Sequence, residues 1–342
     1  MARGPADGKP LVSVIVVTYR SADTLPRCLE ALRSQTMSDF EVILSDNGTD
    51  GGAPAAAEAD PSIRLISNNA NLGFAAGVNR AAAQARGRWL ALLNPDAYAA
   101  PDWLEKLLAA AAAHPDIRCF ASRQRMADDP AILDGLGDVM SLTGFAFRGG
   151  YGHRDPGPVP EGEVFSACGG AMLIDRELFL AMGGLDEWLF CYCEDVDLGY
   201  RLRLRGERTL IVPNAEVAHV GSASSGGPSS EFARFHGTRN RFWVFIKDTP
   251  PVLFWLTLPL HLATTLVLFI SHLRHGEAAA PWRGFMAGVR GLPEAWRRRK
   301  IAQAQRRVSS AEIARAMTWS PIGLWKRRVF IQPLTGPRPD GP

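Results

Sequence analysis

Apolar, β-branched runs that alternate with helix-like segments constrain the fold of this chain more than any other feature of its sequence. The first run, LVSVIVVT, has the continuous apolar pattern of a strand that is covered on both faces of a parallel sheet. Similar runs occur at FEVILSD, SIRLIS and WLALL, and segments with a helical spacing of apolar residues lie between them. This alternation predicts an α/β fold with right-handed crossovers.

Polar residues directly follow these predicted strands. In open α/β sheets, ligands bind in the crevice beyond the carboxyl ends of the strands. We therefore expect the side chains that end neighbouring strands to meet in a single cleft. Residues 121–165 are rich in Gly, Pro and Asp and are expected to form loops and short strands over this cleft. The strand-end residues are Thr18, Tyr19, Asp46, Asn47, Asn71, Asn94 and Asp96.

Composition and charge narrow the class of protein. The chain has 342 residues, of which 46% are hydrophobic and 21% charged, and this is typical of a globular protein with one large domain and an appendage. The net charge of +3 does not indicate nucleic-acid binding, and no sequence module of that type is present. The five cysteines lack CxxC spacing, so neither a disulfide framework nor a zinc site is predicted, and a reducing cytosol fits best. The polar first residues are not typical of a signal peptide.

The stretch CYCEDVDLGYRLRLRG, residues 191–206, gives two conflicting local signals. Its apolar residues alternate with polar ones, which by period alone indicates a strand. Acids at its start, arginines at its end and Gly206 as a stop are instead typical of a helix, which is the structure we predict. Cys191 and Cys193 are interpreted as small buried hydrophobic residues rather than as a reactive thiol site.

Five segments in chain order carry a family resemblance: VSVIVVTYRSADTLPRCLEALRSQT, VILSDNGTDGG, NLGFAAGVNRAAAQARGRWLALLNPDA, GGAMLIDRELFLAMGGLDEWLFCYCEDVDLGYRLRLRG and AHVGSASS. Together they resemble glycosyltransferase family 2, and most closely its rhamnosyltransferase-like branch, which builds bacterial surface polysaccharides. The resemblance covers about residues 10–247. It implies a GT-A fold, that is, a Rossmann-like, mixed and mostly parallel sheet flanked by helices, in a catalytic domain of residues 1–248.

The resemblance implies where such a transferase binds its nucleotide and its metal. Asp46 would hold a pyrimidine ring, since a carboxylate accepts a hydrogen bond from the ring N–H. Taken alone, Asp46 with the Asn and Gly that follow it would be interpreted as a turn. The family's DxD-type metal motif corresponds to Asn94-Pro95-Asp96, in which Asp96 is the only anionic ligand. The metal would be Mg²⁺ or Mn²⁺, held also by diphosphate oxygens and by His219, which resembles a histidine of the family.

The resemblance also implies an acceptor base and further donor contacts. In an inverting transfer, a carboxylate takes the proton of the acceptor hydroxyl that attacks the sugar. Asp195 is the first candidate for this base and Glu194 the second. Arg201 and Arg239 are candidates for contacts with the diphosphate, and Gly170 for a close approach of the backbone. The full predicted donor site is Thr18, Tyr19, Arg20, Asp46, Asn71, Gly73, Asn79, Asn94, Asp96, Gly170, Arg201 and Arg239.

An apolar segment and a basic tail follow the predicted catalytic domain. Residues 249–273 contain no Asp, Glu, Lys or Arg, and about 20 apolar residues suffice to span a bilayer. Three prolines interrupt the segment, so we expect an interfacial or re-entrant hairpin rather than one clean span, with a soluble packing helix as the alternative. Residues 283–307 are rich in Arg and would face anionic lipid. Residues 249–342 are thus predicted to be a membrane-associated helical appendage.

The resemblance, together with the apolar segment and the basic tail, implies an inverting, metal-dependent glycosyltransferase in the cytoplasm, at the inner face of the cell membrane. It would move a sugar, with rhamnose from dTDP-rhamnose favoured, to a lipid-linked or glycan acceptor in cell-surface polysaccharide synthesis. The alternatives are transfer of galactofuranose, glucose or N-acetylhexosamine from a UDP donor, a nucleotidyltransferase, and a non-catalytic sugar-nucleotide-binding scaffold. Asn94 in place of an acid makes the scaffold conceivable. The sequence leaves the oligomeric state open, and a homo-oligomer is compatible with it.

Overall fold

A mixed sheet of ten strands forms the centre of the protein, and a separate two-stranded sheet accompanies it. The computed structural model describes residues 8–48, 50–221, 226–227 and 230–334. The strands are β1 Val12–Thr18, β2 Phe40–Asp46, β3 Ile63–Ser67, β4 Trp89–Leu93, β5 Ala97–Ala99, β6 Cys119–Met126, β7 Leu133–Leu136, β8 Asp138–Met140, β9 Ala146–Arg148, β10 Gly162–Val164, β11 Ala171–Asp175 and β12 Thr209–His219.

The half of the sheet that is built from the first strands is parallel. Its strands lie in the order β3-β2-β1-β4, and these are the four strands predicted from the apolar runs. In the other half, β11 runs antiparallel between β4 and β6, and β12 pairs parallel with β6 and antiparallel with β5 and β10. Because β1 has β2 on one side and β4 on the other, the crevice beyond its carboxyl end is a topological switch point, where ligands bind in folds of this kind.

Helices flank this sheet, and a further group of helices follows at the C-terminal end of the described chain. A short 3-10 helix, Glu187–Leu189, precedes the sixth α-helix. The α-helices are α1 Leu25–Arg33, α2 Gly52–Ala59, α3 Gly73–Gln84, α4 Trp103–Ala113, α5 Arg176–Ala181, α6 Glu194–Leu204, α7 Glu231–Asp248, α8 Pro251–Arg274, α9 Ala279–Arg290, α10 Leu292–Ala304, α11 Ser310–Ala316 and α12 Pro321–Trp325.

Alternate residues of β1 belong to different hydrophobic cores. Val12, Val14 and Val16 pack in a cluster with α1 and α4, whereas Ile15 and Val17 pack in a second cluster with α3 and α5. Successive side chains of a strand point to opposite faces, so a strand covered by helices on both faces has to be apolar throughout. A third cluster joins α6 to α7, α8, α10 and α11, and it fastens the C-terminal helices to the domain that contains the sheet.

The stretch with conflicting local signals is helix α6, and Gly206 follows its end with a φ of +87°. Leu198 and Leu202 pack into the core of the sheet, whereas Val196 and Tyr200 pack against the C-terminal helices. The helix is therefore apolar on two sides. Its strand-like alternation reflects packing between two cores rather than an extended backbone.

The segment predicted to form a hairpin is instead one continuous helix, α8, of 24 residues. The prediction was wrong because Pro250 is the N-cap and Pro251 lies in the first turn, where no backbone N–H is needed for the helix. Pro259 lies inside the helix without ending it. In the part of the chain that the structure describes, α8 is the one helix long and apolar enough to cross a membrane. Only 22% of its most apolar 18-residue stretch is buried in the protein.

Candidate active site

Hydrogen bonds join the carboxyl ends of β1 and β2 to the start of α3. Thr18 Oγ1 donates to Asp46 Oδ1 at 2.9 Å. Asn47 Nδ2 donates to the carbonyl of Gly73 at 3.0 Å, and the Gly73 N–H donates to Asn71 Oδ1 at 3.0 Å. These hydrogen bonds bring together the polar residues that follow the first strands, at the carboxyl ends where ligands bind in such sheets.

A cavity of about 590 Å³ lies beyond the carboxyl ends of β1 and β4. Residues 146–148 of the hairpin β8–β9 form part of its wall, as expected for the segment 121–165. Thr18 and Asp46 are buried beside this wall, next in sequence to Tyr19 and Asn47, which line it. The predicted site residues in the wall are Tyr19, Arg20, Asn71, Gly73, Asn94, Asp96, Gly170, Glu194, Asp195 and His219.

His219, at the end of β12, lies at the centre of a buried cluster of charges. Its Nδ1 is 2.8 Å from Asp134 Oδ2, and its Nε2 is 3.3 Å from both Asp96 Oδ1 and Asn94 Nδ2. Arg148 pairs with Asp134 as well. Burial by itself lowers the pKa of His219, but the hydrogen bonds to Asp134 and Asp96 outweigh burial and raise the pKa to about 9. In this arrangement the imidazole favours its protonated form, and a metal ion that binds Nε2 would displace that proton, because histidine binds metals as the neutral imidazole.

Asp96 and His219 are suited to hold a divalent metal ion together. Asp96 Oδ1 and His219 Nε2 are 3.3 Å apart, and Asp134 orients the ring through Nδ1, as carboxylates do behind metal-bound histidines. Among the described residues, no group of three or more His, Cys, Asp and Glu is placed to hold a metal. Two protein ligands leave positions for diphosphate oxygens and water, as is usual for Mg²⁺ with phosphate substrates. Residues 222–225 of the Gly/Ser motif after His219 lie outside the described residues.

Asp195 lies in the cavity wall, in the first turn of α6. Its Oδ2 accepts a hydrogen bond from the N–H of Gly169 at 2.9 Å, and its Oδ1 accepts one from the N–H of Val196 at 2.8 Å. These two backbone donors hold the carboxylate in a single orientation. A general base needs such a fixed position, within hydrogen-bonding reach of the proton that it removes.

Glu194, the neighbour of Asp195, is 5% exposed. Burial and the nearby charge of Asp195 raise the pKa of Glu194 well above its usual value. Its Oε2 has no hydrogen-bond partner among the described residues. Asp195, by contrast, has both carboxylate oxygens held by backbone donors in the cavity wall, and this fixed geometry favours Asp195 over Glu194 for proton removal.

The loop that leads into α6 has a strained backbone. Positive φ angles are rare for residues with bulky side chains and cost about 1–3 kcal/mol each. Three residues of this loop have them: Phe190 at 68°, Tyr192 at 70° and Cys193 at 65°. Asn240 of α7 holds the loop in this conformation. Its Nδ2 is 2.8, 2.8 and 2.7 Å from the carbonyl oxygens of Leu189, Cys191 and Tyr192.

Asn79 and Arg201 lie outside this cavity, contrary to the prediction that they bind the donor. Asn79 exchanges two hydrogen bonds of 2.9 Å with the backbone of Leu185. Arg201 donates to Asp197 at 2.7 Å and to two carbonyls of the loop after α5 at 2.9 and 2.8 Å. Both residues line a second cavity of about 330 Å³. Their side chains hold this loop against α3 and α6. The packing of these two helices turns both side chains toward the loop.

Arg239 does not line the main cavity either. Its Nη2 donates to the carbonyl of Leu189 at 3.0 Å, and its guanidinium lies 4.6 Å from the ring centre of Trp243. The side chain therefore supports the same loop as Asn240. This position outside the cavity contradicts its predicted contact with the diphosphate.

Two charged residues of the cavity wall were not among the sequence candidates. Asp138 and Arg148 are paired across the hairpin β8–β9, and both line the cavity. Burial and the charge of Asp195 raise the pKa of Asp138 to about 8, while Ser166 Oγ donates to its carboxylate at 3.1 Å. The sequence predicted that residues 121–165 cover the cleft, and both residues lie in that segment. No sequence motif singles out Asp138 or Arg148.

The family model described as glycosyl transferase family 2 matches residues 13–181. The N-acetylglucosaminyl-diphospho-decaprenol L-rhamnosyltransferase of Mycobacterium tuberculosis is 31% identical over 268 residues, which are 70% of this chain and 84% of that protein. The chain belongs to glycosyltransferase family 2. This family 2 enzyme is therefore a glycosyltransferase, as predicted.

Two solved structures share the fold of this family 2 glycosyltransferase. The mannosyltransferase PcManGT from Pyrobaculum calidifontis, determined with GDP-Man and Mn²⁺, aligns with a TM-score of 0.54 and 19% identity over 90% of this chain and 86% of that one. GalNAc-T7, determined with UDP, GalNAc and Mn²⁺, aligns with a TM-score of 0.56 and 17% identity over 70% and 48%. These likenesses confirm the predicted GT-A fold.

Proposed function

We propose that this family 2 enzyme is an inverting rhamnosyltransferase that uses dTDP-rhamnose and a lipid-linked acceptor in the synthesis of a cell-surface glycan. The observation that carries the proposal is the placement of the Asp195 carboxylate in the same cavity as Asp96 and His219. The name of the mycobacterial relative supports the finer choice, because it specifies L-rhamnosyl transfer and a diphospho-decaprenol acceptor.

In the proposed reaction, Asp195 is the base. The acceptor hydroxyl oxygen attacks C1 of the donor sugar from the face opposite the diphosphate. The bond between C1 and the diphosphate oxygen breaks, and the nucleoside diphosphate leaves with the electron pair. Asp195 takes the hydroxyl proton, while the N–H groups of Gly169 and Val196 keep its carboxylate in position. Attack from the opposite face inverts the configuration at C1.

The donor would lie along the carboxyl ends of β1, β2 and β4. Tyr19 and Arg20 line the nucleotide end of the cavity, beside the buried carboxylate of Asp46. The donor contacts proposed on the sugar-diphosphate side are Asn71, Gly73, Asn94 and Gly170. A Mg²⁺ or Mn²⁺ ion, when held by Asp96 and His219, would neutralise the leaving diphosphate.

We also propose that the enzyme acts at the inner face of the cell membrane. One side of α8 is buried against the protein through Leu253, Phe254 and His261, whereas Trp255 and Leu256 on the other side are 64% and 70% exposed. Exposed tryptophans in the segment beyond α8 would lie at the membrane interface, as tryptophan commonly does. They are Trp282, Trp296, Trp319 and Trp325.

We propose a catalytic domain of residues 1–248 and an appendage of residues 249–342. The division rests on the difference in exposed apolar surface between the two parts. The exposed apolar side chains are concentrated after residue 248. Helix α7 packs on α6 and also on α9 and α10, so it links the two parts.

The first experiment is a thermal-shift panel of the purified protein with dTDP, UDP, GDP and their common sugars, with and without Mn²⁺. A ligand that binds only the folded state raises the melting temperature, so the proposal expects metal-dependent stabilisation by dTDP-rhamnose. Asp195→Asn should keep this stabilisation and lose about 10²-fold or more of the transfer rate. Glu58→Gln, an exposed substitution on α2, is the matched control. Near-normal transfer by Asp195→Asn, or stabilisation by none of the nucleotides, would contradict the proposal.

A further inference from the structure

Aromatic side chains that the proposed chemistry does not use form one part of the cavity wall. Phe190, Tyr192 and Phe232 line it together with Glu194 and Asp195. The ring centres of Phe190 and Tyr192 are 6.4 and 6.1 Å from that of Phe232. The three rings therefore form one continuous apolar surface beside the proposed base.

Two of the residues that carry these rings have a strained backbone. Phe190 and Tyr192 have φ angles of 68° and 70°, a conformation that glycine adopts without cost. Gly73 gives Phe190 its space, because a Cβ added to Gly73 would lie 2.6 Å from Phe190 Cδ2. Strained conformations of this kind cluster at ligand-binding sites. The presence of bulky rings at these positions indicates that the rings themselves have a role.

Contacts within the protein hold the rings in place. The three carbonyl contacts of Asn240 fix the backbone on both sides of Phe190 and Tyr192. His236 stacks on Phe190 at 5.5 Å and contacts the ring of Phe232 at 4.3 Å. A surface fixed in advance loses little conformational entropy when a ligand binds to it.

We propose that Phe190, Tyr192 and Phe232 form the acceptor subsite, on which the C–H face of the acceptor sugar stacks. The proposal rests on the glycosyl transfer proposed above and extends it to acceptor recognition. The polar groups suited to the donor diphosphate, Asp96 and His219, lie at the ends of strands, whereas Tyr192 is only three residues from Asp195 in the chain. The acceptor hydroxyl has to meet this base, so the ring that carries the hydroxyl lies on the aromatic side.

A sugar ring suits this surface better than a charged ligand does. The C–H faces of pyranoses are apolar, and aromatic pockets with a few fixed polar groups are typical of small-molecule sites. The Asp195 carboxylate provides such a polar group at the edge of the platform. Phe232 is 37% exposed, which leaves one side of the platform open for the remainder of a large acceptor.

The test measures binding and turnover of an acceptor probe, N-acetylglucosaminyl diphosphate with a short prenyl chain, in ring-removal variants. Phe232→Ala changes an exposed helical position, and Tyr192→Gly removes the ring at a backbone conformation that suits glycine. We expect each variant to raise the Kd and KM for the probe about tenfold, with the Kd for dTDP-rhamnose changed less than about twofold. Tyr192→Phe should bind the probe as the wild type does. Phe235→Ala, which removes a ring of the same helix outside the cavity, is the matched control.

A Kd for the probe that is the same in the wild type, Phe232→Ala and Tyr192→Gly would overturn the platform, whether or not the wild type turns the probe over. A loss confined to prenylated probes, with unchanged binding of a soluble N-acetylglucosamine glycoside, would assign the rings to the lipid chain and also overturn it. Failure of every nucleotide sugar to bind would instead reject the proposed transfer. The two failures are distinguishable because donor and acceptor binding are measured separately.

Discussion

Nδ1 of His219 lies 2.8 Å from Oδ2 of Asp134, a contact between residues 85 positions apart in the chain. Asp134 is 1% exposed and is also paired with Arg148. Although burial raises the pKa of Asp134, the charges of Arg148 and His219 outweigh burial and hold the pKa below its usual value. The histidine proposed to hold the metal is thus oriented by a buried carboxylate from a different strand.

Asp134→Asn should weaken activation by Mn²⁺. The amide keeps the shape of the side chain but loses the charge that orients His219, and loss of such a carboxylate commonly costs about 10–100-fold in metal affinity. The measurement is the Mn²⁺ concentration for half-maximal transfer, with the melting temperature as a check of folding. Asp116→Asn, which removes a carboxylate paired with Arg208 instead, is the control. An unchanged Mn²⁺ dependence in Asp134→Asn would show that this contact does not orient the metal site.

Asn240→Asp should lower kcat while leaving donor binding intact. The carboxylate has nearly the same shape as the amide but cannot donate to the carbonyls that Asn240 Nδ2 now contacts. Each buried carbonyl left without its donor costs about 1–3 kcal/mol, so the strained loop should relax and carry Asp195 away from its position. The check is kcat for transfer beside the Kd for the donor nucleotide. A wild-type kcat in a folded Asn240→Asp protein would contradict the role given to this residue.

Asp248→Asn should stabilise the protein more at neutral pH than at about pH 4. Burial raises the pKa of Asp248 well above its usual value, and the charge of Asp197 adds to this while Lys247 opposes it. A carboxyl group whose pKa is higher in the folded than in the unfolded state costs stability at every pH above its unfolded value, about 4. The asparagine does not titrate and can still donate to Asp197. Melting temperatures of both proteins across this range provide the measurement.

Asp197→Asn is the matched opposite of that substitution. Although burial raises the pKa of Asp197, the charges of Arg201 and Lys247 hold it well below its usual value. Its contribution to stability is therefore fully present above pH 4 and is lost only in acid. Leaving both cations without this partner should cost about 3–5 kcal/mol at neutral pH. If Asp248→Asn and Asp197→Asn shifted the melting temperature in the same direction at pH 7, Asp248 would not be the carboxyl group of this pair that is costly to ionise in the folded protein.

Leu256→Asp should abolish binding to anionic vesicles without unfolding the protein. Leu256 is 70% exposed on the outer side of α8, so the substitution removes no packing but introduces a charge where lipid contact is proposed. Flotation with vesicles that contain an anionic lipid measures the effect. Leu180→Asp, at a 41% exposed position of α5, is the control and should float as the wild type does. Equal flotation of the wild type, Leu256→Asp and Leu180→Asp would contradict the proposal that α8 contacts the membrane.

Much of the fold and a part of the site could be predicted because they depend on local patterns. The apolar runs, and the polar residues that follow them, led to four parallel strands and to the wall residues Tyr19, Asn94 and Asp96. The acids of α6 were found through the family resemblance. The prediction for α8 failed because the effect of proline depends on its position within a helix, and the sequence did not show where the helix begins.

Side-chain direction and distant pairing were beyond the sequence. Asn79 and Arg201 have the residue types of a donor site, but helix packing turns them toward the loop after α5. Asp134 and Asp138 carry no local signal, because their roles depend on partners far away in the chain.

The sequence by itself determined the order of strands and helices and the residues that end the strands, because hydrophobic periodicity and turn chemistry act over a few residues. Only the tertiary structure decided which of those residues share the cavity, which carboxyl groups keep their protons and which amide holds the strained loop. The physical reason is that burial and hydrogen bonding act through space, between β7 and β12 and between α6 and α7, and these contacts exist only after the chain has folded.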